Sequence, residues 1–281
     1  MYIFESQLVV FPFLREGAMD TRKRVSEPWT INLTNLGVMN IKDFVFLFNF
    51  TTIPTLLVLH ERKHTYPGRY AINAQTCVVS VCSLDLSNRT CSVVGTTDNL
   101  VHTCFRLIAV PHPIGPCICS TLTGGALVVS TNVLFHCNVH GQIDYALTLN
   151  EFGDRDNTAV HIERSSPLLR LDGAEFTLLA PTRVVVCLSD AEVYLLTMQE
   201  QGSSVRKMEL MHMGTASAAS SLCTLSTDFF FIGSRLGHSL LVRYEPYEVH
   251  YCVVTSQTSD EKRRDDIAVE EKLRQEQEDS E

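Results

Sequence analysis

Short apolar runs broken by tight polar turns constrain this chain more than any other feature. The clearest case is Phe229 to Glu245. An apolar run, Phe229 to Ile232, meets the break Gly233-Ser-Arg-Leu-Gly237, and a second run follows from Ser239 to Tyr244. Two short runs around a Gly-bounded break predict a β-hairpin, because glycine accepts φ > 0 without steric cost and lets the chain reverse. The same grammar recurs at Val184 to Thr197, around Ser189-Asp190-Ala191, and at Ala126 to Cys137, around Thr131-Asn132. Turn signals return every ~8–12 residues, the spacing of an all-β sandwich, barrel or propeller.

In chain order, strands are expected at Leu8 to Phe13, Trp29 to Leu33, Asp43 to Phe50 and Pro54 to Leu59. Tyr66-Pro67-Gly68 reads as a turn, followed by strands at Arg69 to Asn73 and Thr76 to Leu84. Leu86 to Asn99 is polar, with one short strand at Cys91 to Val94. Cys104 to Val110 is a strand stopped by Pro111-His112-Pro113. Residues 141–166 read mostly as loop, with short strands near Tyr145 and His161. Strands at Ala174 to Leu179, Val205 to Met211 and Ser217 to Leu225 complete the pattern. No amphipathic helix is expected before residue 255.

Strands at this density favour an all-β fold, an incomplete β-propeller of four-stranded blades. Blades of ~40–45 residues allow roughly five or six over residues 1–255. A pair of β-sandwiches is the alternative. The chain opens almost at once on a strand, which suggests a domain entered part-way. Residues 257–281 differ: they hold ten acidic and five basic side chains and no aromatic residue. The segment 256–281 is therefore expected to be disordered or a frayed helix. Lys262-Arg-Arg264 within it reads as a solvated charge run before it reads as a nuclear address.

The net charge of −9 argues against a surface devoted to phosphate backbone, although it leaves room for a local basic patch. Ten cysteines are too few for a disulfide scaffold of this length, and Cys77, Cys82, Cys104 and Cys187 sit inside apolar runs as small hydrophobes. The expectation is a reducing compartment. Sequons beginning at Asn32, Asn49 and Asn88 are the contrary sign, and they alone support a secreted glycoprotein.

Few patterns ask for chemistry. His60-Glu61-Arg62-Lys63-His64 spells H-E-x-x-H, which on a helix would place two imidazoles and a general base around zinc. An apolar strand precedes it and Pro67 follows closely, so it reads as a polar turn between strands. Cys117-Ile-Cys119 could be half of a thiolate site, completed by Cys137 and His136 or His140; packing is the preferred reading. Ser204-Val-Arg-Lys207 matches S-x-x-K without its companion motifs and reads as the start of a strand. Gly233 to Gly237 lacks the ending of a phosphate loop. The expectation is no enzyme, no metal and no cofactor, and no individual residue receives a catalytic or partner-binding role.

A set of collinear motifs carries a resemblance. They are Leu8-Val-Val-Phe-Pro-Phe13, Pro54-Thr-Leu-Leu57, Pro67-Gly-Arg69, Pro111-His-Pro-Ile-Gly115, Glu192-Val-Tyr-Leu-Leu-Thr197 and Gly233-Ser-Arg-Leu-Gly-His-Ser-Leu-Leu241. Over about Leu8 to Tyr244 the chain resembles the largest subunit of the cleavage and polyadenylation specificity factor, a triple-propeller scaffold family. It looks like a fragment of the first propeller. Family members tend to carry Gly-Gly where Asp190-Ala191 stands here, and a glycine where Pro116 stands. The resemblance implies a nuclear, non-catalytic scaffold of pre-mRNA 3′-end processing. It implies as partners the WD-repeat and zinc-finger subunits of that machinery and poly(A) polymerase, with weak RNA contact. Ubiquitin-ligase adaptors and spliceosomal subunits of the same architecture are the alternative. A zinc hydrolase on His60, Glu61 and His64 is a remote one.

Overall fold

A computed structural model describes residues 2–4, 6–11, 27–48, 53–64, 66–111, 125–149, 162–164, 169–201 and 204–245. The chain divides into units of residues 1–244 and 245–281. The expected acidic segment 256–281 lies outside the described residues, as do Lys262 to Arg264, Asn49, Pro116 and His161.

Among the described residues the larger unit contains five sheets, taken in chain order. The first contains β1 (Tyr2–Phe4), β2 (Gln7–Val10) and β3 (Trp29–Asn32). The second contains β4 (Ile41–Phe46), β5 (Thr55–Glu61), β6 (Cys77–Asp85) and β7 (Thr90–Leu100). The third contains β8 (Arg106–Ala109), β9 (Ala126–Val129), β10 (Val133–Cys137) and β11 (Ile143–Thr148), with β12 (Ile162–Arg164) added in parallel to β11. The fourth contains β13 (Glu175–Ala180), β14 (Arg183–Cys187), β15 (Glu192–Gln201) and β16 (Ser204–Thr215). The fifth contains β17 (Ser221–Thr224), β18 (Phe229–Gly233) and β19 (Leu240–Arg243). Every other pairing is antiparallel between neighbours in sequence. This is the all-β, propeller-type fold that the hairpin grammar predicts.

The continuous apolar runs follow from burial on both faces. Along β5, Leu56 and Val58 join the core shared with the first sheet, while Leu57 and Leu59 join the core shared with the third. On β9, Ala126 and Val128 face the second sheet and Leu127 and Val129 the fourth. On β14, Val184 and Val186 face back and Val185 and Cys187 face forward to the fifth sheet. A strand with one wet face would alternate; these strands have no wet face, so both sets of side chains are apolar.

Polar side chains clip one sheet to the next. Asp43 on β4 accepts the backbone N–H of Leu107 on β8 at 2.7 Å. Arg106 donates to the Ala174 carbonyl and pairs with Glu175, both at 3.1 Å. Asp144 on β11 accepts the Val205 N–H on β16 at 3.2 Å. Gly95 makes the closest junction, since a Cβ there would stand 1.9 Å from the His140 carbonyl oxygen in the next sheet.

Several local expectations need correction. Residues Pro67–Ile72 form a short α-helix, α1, rather than a turn and a strand. Proline at the first helical positions brings its φ preset and gives up an N–H that has no helical partner there. The stretch around Cys91 to Val94 is part of the eleven-residue β7, whose polar residues alternate with half-buried ones because it is the outer strand of its sheet. A 3-10 helix, Leu33–Leu36, follows β3 and ends at Gly37 with φ of 77°.

The turn of the opening hairpin also works differently. Gly233 and Gly237 are not among the residues with left-handed φ. Ser234 Oγ instead accepts the N–H groups of Leu236 and Gly237, at 3.2 and 3.0 Å, and Ser239 Oγ accepts the Ser234 N–H. Gly233 packs close to Ser221: a Cβ there would stand 2.4 Å from Ser221 Oγ, which would have to rotate away.

The left-handed conformation falls on Ala191, with φ of 74°, at the β14–β15 turn. A Cβ in that region costs roughly 1–2 kcal/mol. Ala191→Gly should raise the unfolding free energy by about 1 kcal/mol, seen as a higher urea midpoint; a lower midpoint would contradict this account of the turn. Gly95→Ala should do the reverse, with a loss of roughly 2–3 kcal/mol from overpacking against a backbone oxygen that a neighbouring sheet holds in place. An unchanged midpoint would show that the junction yields freely.

Candidate functional site

The H-E-x-x-H residues are split by the strand they stand on. His60 and Glu61 end β5, and successive side chains of a strand point to opposite faces. His60 Nε2 meets Ser80 Oγ at 2.9 Å, whereas Glu61 faces Thr76 and Cys77. His64 lies beyond the strand and is exposed, and α1 starts only at Pro67. The helical zinc geometry is therefore absent at these residues, and the remote zinc-hydrolase reading loses its basis. The expectation of a polar turn is corrected as well: His60 and Glu61 are buried strand residues, and only Arg62 to His64 form the turn.

His60 is 1% exposed, and its Nδ1 has no hydrogen-bond partner. Burial lowers its pKa to about 4, with the nearby Arg62 charge adding to the effect against a smaller pull from Asp98. Between pH 6.5 and about 4 the unfolded chain binds a proton that the folded chain refuses. The neutral imidazole's contribution is thus whole above pH 6.5 and falls away as pH drops toward 4, by about 3 kcal/mol in all. Urea unfolding across this range should show a shallower pH slope for His60→Asn than for the unaltered chain; identical slopes would overturn the assignment.

Around Glu61 lies a buried cluster that the motif reading missed. Lys42 crosses from β4 and directs its ammonium at three acceptors: Glu61 Oε1 at 3.0 Å, Cys77 Sγ at 3.1 Å and the His102 carbonyl at 2.6 Å. Thr76 Oγ1 donates to the same Glu61 oxygen at 3.0 Å. Burial works against the Lys42 charge, but contact with Cys77 and Glu61 outweighs it and raises the pKa above the ordinary lysine range. The Cys77 thiol is moved down, first by contact with Cys104 and then by Lys42, against the opposing effect of burial. The sequence did carry a signal here: a lysine and an aspartate, Lys42-Asp43, open an otherwise apolar run.

The remaining candidates do not converge. His136 Nδ1 contacts Asp144 Oδ1 at 2.5 Å, while Cys137 packs into the core between the second and third sheets, where burial pushes its thiol up to about 12. His140 sits in the following turn, its N–H bonded to Asn138 Oδ1. Cys117 and Cys119 lie outside the described residues. Ser204 and Lys207 stand on β16, where Lys207 pairs with Glu209 at 2.7 Å. Among the described residues no group of three or more His, Cys, Asp or Glu is placed to hold a metal ion. The cysteines read as packing residues, Cys77, Cys82, Cys104 and Cys187, are buried and free. Asn32 Oδ1 accepts the Thr34 N–H and Asn88 Nδ2 donates to Asp85, so two sequon asparagines serve local turns. No helix among the described residues is long and apolar enough to cross a membrane.

The stacked sheets define a β-propeller domain, and comparison with known families agrees: residues 1–273 match the model of the RSE1/DDB1/CPSF1 first beta-propeller, so the chain belongs to that family. Within it, the chain is similar to cleavage and polyadenylation specificity factor subunit 1 of Arabidopsis thaliana, 32% identical over 222 residues, which are 79% of this chain and 14% of the relative. It is similar to the probable subunit 1 of Oryza sativa subsp. japonica, 30% identical over 237 residues, 84% of this chain and 15% of the relative. The subunit 1 of Drosophila melanogaster is 27% identical over 267 residues, 87% of this chain and 18% of the relative. The chain thus spans less than a fifth of the length of these relatives.

Proposed function

We propose that this chain is the first-propeller part of a non-catalytic scaffold subunit of the nuclear pre-mRNA 3′-end cleavage and polyadenylation machinery. The observation that carries the reading is the collinear similarity to three proteins named as subunit 1 of the cleavage and polyadenylation specificity factor, over 79% to 87% of the chain. The geometry supports it. Propeller sheets form a stiff body whose connecting loops gather at its two ends, which suits the binding of several partners at once. The polar side chains that sequence motifs offered for catalysis are separated on opposite faces or used in packing.

In this reading the scaffold positions the WD-repeat and zinc-finger subunits, which read the RNA signal, and holds poly(A) polymerase with them. RNA contact by this chain itself is weak, in keeping with a net charge of −9. A related propeller scaffold acting as a ubiquitin-ligase adaptor or a spliceosomal subunit is the competing assignment, since the matching family model is shared by RSE1, DDB1 and CPSF1.

Affinity purification of the tagged product of the native gene, followed by mass spectrometry, tests the proposal. Recovery of the WD-repeat and zinc-finger subunits with poly(A) polymerase is the expected result. Recovery of a cullin ligase or of splicing subunits in their place would leave the fold standing and refute the assignment.

A further inference from the structure

The Lys42 cluster is more than an ion pair. A lysine nitrogen lies 3.1 Å from a cysteine sulfur, in a site where Cys77 is fully buried and Lys42 retains 26% of its side-chain exposure. The two residues come from different strands of one sheet, with β5 between them. Cys104, also buried, leans on Cys77 from the connection between β7 and β8. Glu61 and the His102 carbonyl hold the ammonium in place at 3.0 and 2.6 Å. Nitrogen and sulfur are thus held at a separation that one inserted oxygen atom can bridge.

We propose that Lys42 and Cys77 form a reversible covalent N–O–S bridge when the protein meets hydrogen peroxide. The chemistry balances with two equivalents of peroxide. The Cys77 thiolate attacks the first, breaking its O–O bond, and becomes a sulfenic acid; the hydroxide released takes a proton from the Lys42 ammonium and leaves as water. The Lys42 amine attacks the second, becomes a hydroxylamine and releases a second water. Condensation of the N–OH with the S–OH forms the bridge and expels a third water. Sulfur and nitrogen each lose two electrons, and each peroxide gains two. Two equivalents of a dithiol reductant, each oxidised to its disulfide, supply four electrons and four protons and return the amine, the thiol and one water.

Formation of sulfenic acid as the first step follows from thiolate character, and the cation beside Cys77 favours the thiolate. The bridge would remove the Lys42 charge from a site where Glu61 is 4% exposed, and would tie β4 covalently to β6. Oxidation would thereby stiffen the second sheet at the end where the connection to the third sheet leaves. The inference does not depend on the scaffold assignment, since it concerns atoms within one sheet.

The test uses the tagged protein isolated from its own cells, treated with hydrogen peroxide or left reduced, then digested and read by fragmentation mass spectrometry. The expected product is a cross-link between the Lys42 and Cys77 peptides, heavier by one oxygen and lighter by two hydrogens than their sum. It should vanish after dithiothreitol and be retained in Cys104→Ser. A Cys77–Cys104 disulfide in its place, or Cys77 recovered unlinked after peroxide, would overturn the proposal. The decisive reading is made on the unaltered protein, so a variant that fails to fold does not obscure it.

Discussion

The fold depends on its second, third and fourth sheets being covered on both faces. Each of these three sheets shares one core with its predecessor and another with its successor, so the side chains of their middle strands are mostly apolar on both faces. Leu56 to Leu59, Ala126 to Val129 and Val184 to Cys187 are buried almost without remainder for this reason. Such strands leave no wet face for polar groups. Their backbone N–H and C=O groups must then be paired within the sheet, and the antiparallel ladders do this along the hairpins. Charged side chains are pushed to the strand ends, where Asp43, Arg106 and Asp144 reach across to the next sheet's backbone. The apolar cores supply the burial, and these charge-assisted bonds set the register of one sheet against another.

The same constraint explains why the catalytic motifs come apart. H-E-x-x-H is a statement about one face of a helix. On β5 the two-residue period sends His60 to the side of the first sheet and Glu61 to the side of the third. Burial then gives each a different fate. His60 stays neutral beside Ser80, and Glu61 pairs with Lys42 from a neighbouring strand. A buried carboxylate needs a partner, and the partner is 19 positions earlier in the chain by residue number. No local pattern encodes that distance.

Membership of a propeller family agrees with this picture at the level of the fold, and two turn residues show how local geometry is met. Ala191 keeps a left-handed backbone that the chain's turn demands even though the side chain opposes it. The turn is held by the Leu188 and Glu192 backbone bonds on one side and the Ala216 N–H on the other, so the geometry holds without a glycine. Gly233 shows the converse. It lies close beside Ser221, and its conformation is ordinary.

The amino-acid sequence by itself determined the strand count in outline, the positions of the hairpins and the burial of Cys77, Cys82, Cys104 and Cys187, because two-residue periodicity and turn chemistry act over a few neighbouring positions. It misread Pro67–Ile72 and the length of β7, where a proline suits two local structures and where an outer strand is half wet. Tertiary structure alone decided which face each residue took and which residues met. The gathering of Lys42, Glu61, Cys77 and His102 joins segments up to 60 positions apart. So does the closure of Gly95 on His140, and the clip from Asp43 to Leu107, 64 positions away. These meetings follow from how one sheet stacks on the next, a property of the assembled core that no short stretch of sequence contains.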